Sequence, residues 1–231
     1  MIHFNQGIPM KVAVVLSGCG VFDGSEIHES VLTLLALSCA GVTYQCMAPN
    51  MAQTQVVNHL TGQIAEGESR NVLIEAARIA RGDIIDIANA DSHDYAAVFF
   101  PGGFGAAKNL SDFAFKGSAC ELQPDVLRFA KAMAAAHKPA CYICIAPTLI
   151  PRIYGAGVKL TIGNDQDTAQ TIEAMGGEHI DCPVQECVID AGHKLVSTPA
   201  YMLAQNLAEA AAGIEAAVVA TLAMLPANSN M

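Results

Sequence analysis

Short apolar runs alternate along the chain with segments that repeat apolar residues at helical spacing. Residues 11–17 (KVAVVLS) are apolar on both faces, which is typical of a central parallel strand. Residues 25–40 have the helical repeat, with Ser25 as the predicted N-cap and Gly41 as the stop, and residues 43–48 predict the next strand. The alternation continues with predicted strands over 96–100, 140–144, 158–161, 184–189 and 195–197, and helices over 71–81, 125–137 and 206–225.

This alternation predicts an α/β fold, a three-layer, doubly wound (flavodoxin-like), mostly parallel sheet with helices on both faces. No linker or internal repeat interrupts it, so we expect a single domain over residues 10–226, between an N-terminal tail (1–9) and a C-terminal tail (227–231). The polar segment 50–69 is long for a simple connection, which favours a functional loop. Because ligands of such sheets bind beyond the carboxyl ends of the strands, the turns there are the expected functional positions.

The charge of the chain limits its partners. It has 12 basic and 22 acidic residues, a formal net charge of -10, without a Lys/Arg cluster, which disfavours nucleic acid and anionic membranes. No run reaches the roughly 18 apolar residues of a membrane span, and Met1–Met10 lacks a secretory-signal pattern. The eight cysteines are therefore expected to be mostly buried, reduced thiols of a cytoplasmic protein. No His or Cys spacing is typical of a metal site, and no metal or cofactor is predicted.

Two glycine-rich turns follow predicted strands. Residues 18–24 (GCGVFDG) resemble a dinucleotide-binding loop, but the third glycine is late and no acidic residue ends the second strand. This pattern favours a close-packing turn over a nucleotide site. Residues 101–105 (PGGFG) can direct backbone N–H groups at a carboxylate or a developing oxyanion, although they also suit a plain tight turn.

Cys144 is the candidate nucleophile. It falls where the strand 140–144 meets Ala146-Pro147 and a predicted helix, which is the strand-turn-helix pattern of a nucleophile elbow. A helix N-terminus beneath the sulfur is expected to lower the pKa of the thiol. Inert packing of Cys144 is an open alternative. A redox pair of Cys141 and Cys144 is disfavoured, because residues three apart on a strand point to opposite faces.

Acidic residues open the first predicted helix, where Glu26, His28 and Glu29 lie within one turn. The helix dipole favours carboxylates there, which is a purely structural explanation. The functional interpretation is that one carboxyl group leans over the sheet edge towards the Cys144 thiol. Buried beside a thiolate, it would tend to hold a proton and could shuttle it.

Taken in order, these motifs resemble the PfpI-like, class I glutamine amidotransferase-like superfamily, and within it the ElbB family of isoprenoid biosynthesis proteins with an amidotransferase-like domain. The resemblance extends from Lys11 to about Leu225 and includes residues 16–29, 58–62, 70–78, 101–110, 144–147 and 198–206. It implies Cys144 as the nucleophile and Glu29 as the carboxyl group in contact with it.

The resemblance also assigns the surrounding residues. Glu26 and His28 are then supporting residues, and the oxyanion hole is implied at the backbone of Gly102, Gly103 and Ile145. Candidates for the substrate pocket, which lie in matching segments, are Cys19, Asn109 and Tyr201.

The activity that the resemblance implies is a glutathione-independent glyoxalase reaction from glyoxal to glycolate, also interpreted as protein deglycation, in a homodimer that binds small dicarbonyls. Two departures weaken amide hydrolysis: Ile145 stands where peptidase-like members have a histidine, and residues 159–164 lack the histidine of other members. The alternatives are a non-catalytic or redox-sensing regulatory protein linked to isoprenoid biosynthesis, and a glutamine-amidotransferase-like subunit.

Overall fold

The computed structural model describes residues 11–226, so Met10 and both predicted tails (1–9 and 227–231) lie outside the described residues. The strands are β1 (Lys11–Val15), β2 (Thr43–Ala48), β3 (Val57–Asn58), β4 (Gln63–Ile64), β5 (Ile84–Asp86), β6 (Val98–Phe100), β7 (Ala140–Ile143), β8 (Lys159–Leu160), β9 (Glu178–His179), β10 (Val188–Asp190) and β11 (Leu195–Thr198). The helices are α1 (Ile27–Cys39), α2 (Val72–Ile79), α3 (Phe104–Lys108), α4 (Phe113–Lys116), α5 (Pro124–Ala135), α6 (Ile150–Tyr154), α7 (Gln166–Ala174) and α8 (Leu207–Ala223).

Seven strands form one sheet in the order β10-β11-β7-β6-β1-β2-β5. All neighbouring pairs are parallel except β10 and β11. From β1 the sheet extends through β2 on one side and through β6 on the other, so the strand order reverses between β1 and β6. The doubly wound, mostly parallel sheet predicted from the sequence is thus confirmed, and its switch point lies between the turns that follow these two strands.

Helices cover both faces of this sheet, as the alternating side chains of β7 show. The Cys141 thiol hydrogen-bonds Thr221 of α8. The next side chain, Tyr142, points to the other face, where its ring stacks on Phe100 at 4.5 Å and meets Tyr154 of α6 edge-on. Strands buried on both faces need apolar side chains at every position, which explains the uninterrupted apolar runs. Cys141 therefore belongs to the packing under α8.

Some elements differ from the prediction. The strand expected over 158–161 is the shorter β8, which pairs with β9 in a separate two-stranded sheet. The segment 50–69 contains the small hairpin β3–β4. The sequence does not predict β5, β9, α3, α4 or α7, because elements this short or this polar show too few periods of an apolar repeat.

Helix α1 begins at Ile27, and its N-cap is Glu26 instead of the predicted Ser25. The Glu26 carboxylate accepts a hydrogen bond from Glu29 N at 2.6 Å. Ser25 is buried, and its hydroxyl oxygen accepts a bond from Ser17 N at 2.8 Å. This arrangement places Glu29 in the first turn of α1, at the edge where the strands end. Among residues 11–226, no helix is both long and apolar enough to cross a bilayer.

Candidate active site

The backbone turns sharply at Cys144, directly after β7. Its φ angle is 61°, in the left-handed region that costs a non-glycine residue roughly 1–3 kcal/mol. A hydrogen bond from Cys144 N to Thr198 O, 2.9 Å long, fixes the turn to the end of β11. Residues 146–149 then form a 3-10 turn that leads into α6. This is the geometry of a nucleophile elbow, which holds the side chain above the sheet edge.

The Glu29 carboxyl group faces the Cys144 thiol and is fully buried, with 0% exposure. Its two oxygens accept hydrogen bonds from Gly102 N at 3.0 Å and from Tyr201 N at 3.1 Å. Both bonds favour the ionised form, but burial outweighs them and raises the pKa of Glu29 to about 8. A buried carboxyl group in this range can accept and donate a proton near neutral pH.

The pKa of the Cys144 thiol is raised well above its usual value, first by burial and then by the charge of Glu29. The N–H groups of Gly103 and Ile145 act in the opposite direction but do not compensate. The sequence predicts a lowered thiol pKa, and this prediction is wrong, because Cys144 is only 7% exposed and its burial is the largest cause of the raised pKa. Cys144 and Glu29 are not both charged at the same time, because two adjacent buried negative charges would repel each other.

The glycines of the turn after β6 have different roles. Gly103 N and Ile145 N point at the Cys144 sulfur, where an oxyanion formed on a bound carbonyl group could be held. Gly102 N instead binds the Glu29 carboxyl group, so its predicted oxyanion role is corrected to positioning of the acid. A Cβ atom at Gly102 would collide with Cys144 and Glu29, and one at Gly103 would overlap the backbone of α1's N-terminus.

The supporting residues lie around the buried acid. Glu26 donates its backbone N–H to Gly102 O at 2.9 Å, so α1 and the glycine turn are joined directly. His28 is exposed and its Nδ1 lies 2.9 Å from the Tyr201 hydroxyl, on the outer side of α1. Tyr201 therefore approaches Glu29 through its backbone and His28 through its side chain. Among the described residues, the hydrogen-bond partners of the Cys144 side chain are Glu29, Gly103 and Ile145, and His28 is not one of them.

The two other pocket candidates face elsewhere. The charges that act on Cys19 are those of Glu75 and Arg78 in α2, of Asp23 in the turn after β1, and of Arg70 just before α2. Asn109 donates both amide hydrogens, to Ser17 O at 2.9 Å and Asp23 O at 2.8 Å, and accepts from Thr54 N at 3.0 Å. Its amide group is fully used in joining three segments, so it has no hydrogen bond left to donate to a substrate.

Thr198 is a functional position that the sequence does not reveal, since the atom that binds the elbow is its backbone oxygen. The same is true of the Tyr201 N–H that binds Glu29. Any residue supplies these atoms, so no side-chain pattern marks them. The sequence marked this segment only through the family resemblance of residues 198–206 and through its position directly after a predicted strand.

Comparisons with known proteins assign the chain to a family. No protein-family model matches it. It is 47% identical over 201 residues to the Homo sapiens protein "Glutamine amidotransferase-like class 1 domain-containing protein 3, mitochondrial", covering 83% of this chain and 75% of that protein. It is 42% identical over 227 residues to the Rattus norvegicus "ES1 protein homolog, mitochondrial", covering 94% and 85%. The chain belongs to the ES1 family of class 1 glutamine amidotransferase-like proteins.

Solved structures agree with this assignment. The ES1-family chain superposes on an isoprenoid biosynthesis protein with amidotransferase-like domain from Ehrlichia chaffeensis with a TM-score of 0.86 at 37% identity, covering 93% and 98% of the two chains. The resemblance stated from the sequence is thereby confirmed. Glyoxalase III from Candida albicans matches with a TM-score of 0.60 at 14% identity, covering 95% and 98%, which shows a shared fold alone.

The same relatives correct the expectation of a cytoplasmic protein. Three ES1-family relatives, from Homo sapiens, Rattus norvegicus and Danio rerio, are named as mitochondrial proteins. The expectation rested on reduced thiols and on the pattern of Met1–Met10. Thiols stay reduced in more than one cellular compartment, so the cysteine content of the chain does not identify its compartment.

Proposed function

We propose that this chain is a glyoxalase-type enzyme that converts glyoxal to glycolate, without glutathione or another cofactor. The observation that carries the proposal is the buried pair of Cys144 and Glu29, with Gly103 N and Ile145 N directed at the sulfur. A nucleophile, a proton shuttle and oxyanion donors thus lie within hydrogen-bond reach of one point.

The reaction begins from the ionised form of Glu29, whose carboxylate takes the thiol proton as the sulfur adds to one carbonyl carbon of glyoxal. The carbonyl oxygen accepts hydrogen bonds from Gly103 N and Ile145 N while its negative charge develops. Glu29 then returns the proton to that oxygen, which gives a neutral hemithioacetal and restores the carboxylate. The pKa of Glu29, about 8, suits both directions of transfer.

The second stage moves a proton between the two carbons. The Glu29 carboxylate removes the C–H proton of the hemithioacetal carbon, which leaves an enediolate with its charge on the oxygen of the second carbon. Glu29 then delivers this proton to the second carbon, the hydroxyl proton of the first carbon passes to the second oxygen, and a glycolyl thioester on Cys144 results. Water hydrolyses the thioester to glycolate and frees the thiol, so the reaction consumes one glyoxal and one water and requires no oxidant.

Glutamine hydrolysis is less well supported by the site. Class I chemistry needs a histidine base beside the cysteine. Close to the stretch 159–164, His179 Nε2 accepts a hydrogen bond from Ile162 N at 3.3 Å, and its Nδ1 lies 3.8 Å from Asp181. Both ring nitrogens of His179 are engaged there, and His179 is not among the hydrogen-bond partners of Cys144.

A peroxide-sensing role for Cys144 also has less support. Sensor cysteines are exposed and have a low pKa. Burial instead raises the pKa of Cys144, and the residue has 7% exposure.

The test is the rate of glyoxal conversion to glycolate by the wild-type, Cys144→Ala and Glu29→Gln proteins. We expect Cys144→Ala to lose all measurable turnover and Glu29→Gln to lose about 10²–10⁴-fold, the usual contribution of a proton-transfer group. Cys19→Ala is the matched control, because this thiol is also partly buried but belongs to the neighbourhood of α2. Equal rates in the wild type and Cys144→Ala would overturn the proposal.

A further inference from the structure

The last residue of β11 and the short 3-10 turn after it supply two backbone atoms that position Cys144 and Glu29. Thr198 O accepts a hydrogen bond from Cys144 N at 2.9 Å, and Tyr201 N donates to Glu29 Oε1 at 3.1 Å. Between these two atoms, Ala200 has a φ angle of 43°, in the left-handed region that a residue with a Cβ keeps only where surrounding contacts hold it. The placement of the acid therefore depends on the contacts that fix this turn.

Tyr201 joins the turn to the start of α1 at two points. Its backbone N–H binds Glu29, and its hydroxyl oxygen lies 2.9 Å from Nδ1 of His28, the preceding residue of the helix. The two rings are 5.9 Å apart between their centroids. The bond that closes the turn, from Met202 N to Pro199 O at 3.0 Å, does not reach α1. The hydroxyl contact with His28 therefore holds the turn against the helix directly beside the backbone bond to Glu29.

We propose that the Tyr201 hydroxyl and the His28 imidazole form an anchoring pair that positions the Glu29 carboxyl group. Both are positioning residues, because the anchoring pair acts on the acid only through the Tyr201 N–H. A phenol hydroxyl both donates and accepts hydrogen bonds, so the contact forms with a neutral or a protonated imidazole. The effect on turnover rests on the proposed function, whereas the effect on Glu29 follows from these contacts alone.

The anchoring pair affects the pH at which Glu29 loses its proton. The charge of Glu26 faces Glu29 from the same helix, and the Cys144 thiol faces it from the elbow. The N–H groups of Gly102 and Tyr201 bind its oxygens. Of the contacts that lower the pKa of Glu29, the Tyr201 N–H is the strongest, although burial outweighs it. Without the anchoring pair this N–H is held less firmly, so Glu29 keeps its proton to higher pH and accepts the thiol proton only there.

Substitutions at both positions test the anchoring pair. Tyr201→Phe removes the hydroxyl and keeps the ring and the backbone N–H, and His28→Ala removes its partner. Because these two changes remove the same hydrogen bond, the double variant should show the effect of either one alone. His28→Asn keeps a polar atom close to the position of Nδ1 without a titratable ring, so it should behave as the wild type. His93→Ala is the matched control, since the His93 imidazole is also exposed and bonds a neighbouring side chain, that of Asp91, at 2.7 Å.

The measured quantity is the pH midpoint of Cys144 alkylation by iodoacetamide, read from initial rates by mass spectrometry of the Cys144 peptide. We expect Tyr201→Phe, His28→Ala and the double variant to raise this midpoint by about 0.3–1 pH unit, the equivalent of one hydrogen bond. Wider access to the sulfur would change the rate by the same factor at every pH and would leave the midpoint in place. A midpoint of Tyr201→Phe equal to that of the wild type, or two single shifts that add in the double variant, would overturn the proposal.

Glyoxal turnover by the same proteins separates this inference from the proposed function. We expect the pH profile of turnover to move with the alkylation midpoint. If the wild type does not convert glyoxal but its alkylation midpoint moves in Tyr201→Phe, the anchoring pair is supported and the glyoxalase proposal fails. If the wild type converts glyoxal and the midpoint does not move in Tyr201→Phe, the anchoring pair is refuted and the glyoxalase proposal stands.

Discussion

The Glu29 carboxyl group shows how opposing effects set the chemistry of a single residue. Two backbone N–H groups hold its oxygens, which favours ionisation, and complete burial opposes it. Burial is the larger effect, and the pKa rises from 4.5 to about 8. A carboxyl group on the protein surface would be permanently ionised at neutral pH and could donate no proton.

This shift predicts how stability depends on pH. The unfolded chain loses the Glu29 proton near 4.5, whereas the folded protein keeps it up to about 8. Between these values the folded state binds more protons, so the free energy of unfolding falls as pH rises, by at most about 1.4 kcal/mol per pH unit. Denaturant unfolding of the wild type and Glu29→Gln at several pH values measures the difference. Parallel pH curves for the two proteins would contradict the raised pKa.

The close packing around Gly102 gives a second prediction at the residue scale. A methyl group there would collide with Cys144 and Glu29, so Gly102→Ala should cost about 1–3 kcal/mol of stability and most of the glyoxal turnover. Gly192→Ala is the matched control, because neither glycine has a left-handed φ and the Cβ at Gly192 meets only Asp190 at 3.4 Å. Thermal unfolding and steady-state rates measure both changes. Wild-type activity in Gly102→Ala would refute the packing argument.

At the scale of elements, Glu26 at the N-terminus of α1 both caps the helix and affects the pKa of Glu29. The charge of Glu26 contributes to the raised pKa of Glu29, and its side chain caps the helix. Glu26→Gln removes the charge and keeps an acceptor for Glu29 N. We expect the wild type to show a rising limb of the pH–rate profile near 8, and we expect Glu26→Gln to lower the pKa of Glu29 and move this limb to lower pH.

The alanine variant separates the two roles of Glu26. Glu26→Ala removes the charge together with the cap, so it should show the same pH displacement and lose about 0.5–2 kcal/mol of stability. If the rising limb of both variants stays at the pH of the wild type, Glu26 does not influence the pKa of Glu29.

The elements differ in how well their sequences predict them. β1, β6 and β7 are predicted because a strand buried on both faces must be apolar throughout, and that run is visible in one dimension. β8 was expected in the main sheet, yet it pairs with β9, since partner choice depends on distant residues. The N-cap of α1 was misplaced for a similar reason: Ser25 is a good cap by type, but its hydroxyl is used by Ser17.

At the scale of the whole molecule, an apolar face points to self-association. Ile27, Val31 and Leu35 are exposed at four-residue intervals along α1, and a groove of about 520 Å³ between α1 and α8 lies beside this ridge. Ridge and groove on one face suit an isologous contact, in which each copy inserts its ridge into the groove of the other. The homodimer expected from the resemblance remains a prediction.

Light scattering coupled to gel filtration tests this prediction. Wild-type protein should elute with the mass of two chains, and Val31→Asp should elute as a monomer. Leu60→Asp is the control, because Leu60 is 93% exposed on the separate β3–β4 hairpin. A monomeric wild type, or equal effects of the two substitutions, would exclude this face as the interface.

The sequence by itself determined the class of fold, the elbow at Cys144 and the carboxyl-rich start of α1, because these depend on residue type and on spacing along one strand or helix. The tertiary structure decided which carboxyl group meets the thiol, which glycine N–H binds the acid and which faces the sulfur, and how each group ionises. Those properties depend on burial and on backbone atoms from α1, β6, β7 and β11 brought to one edge. The order of side chains along the sequence does not show where these backbone atoms come together.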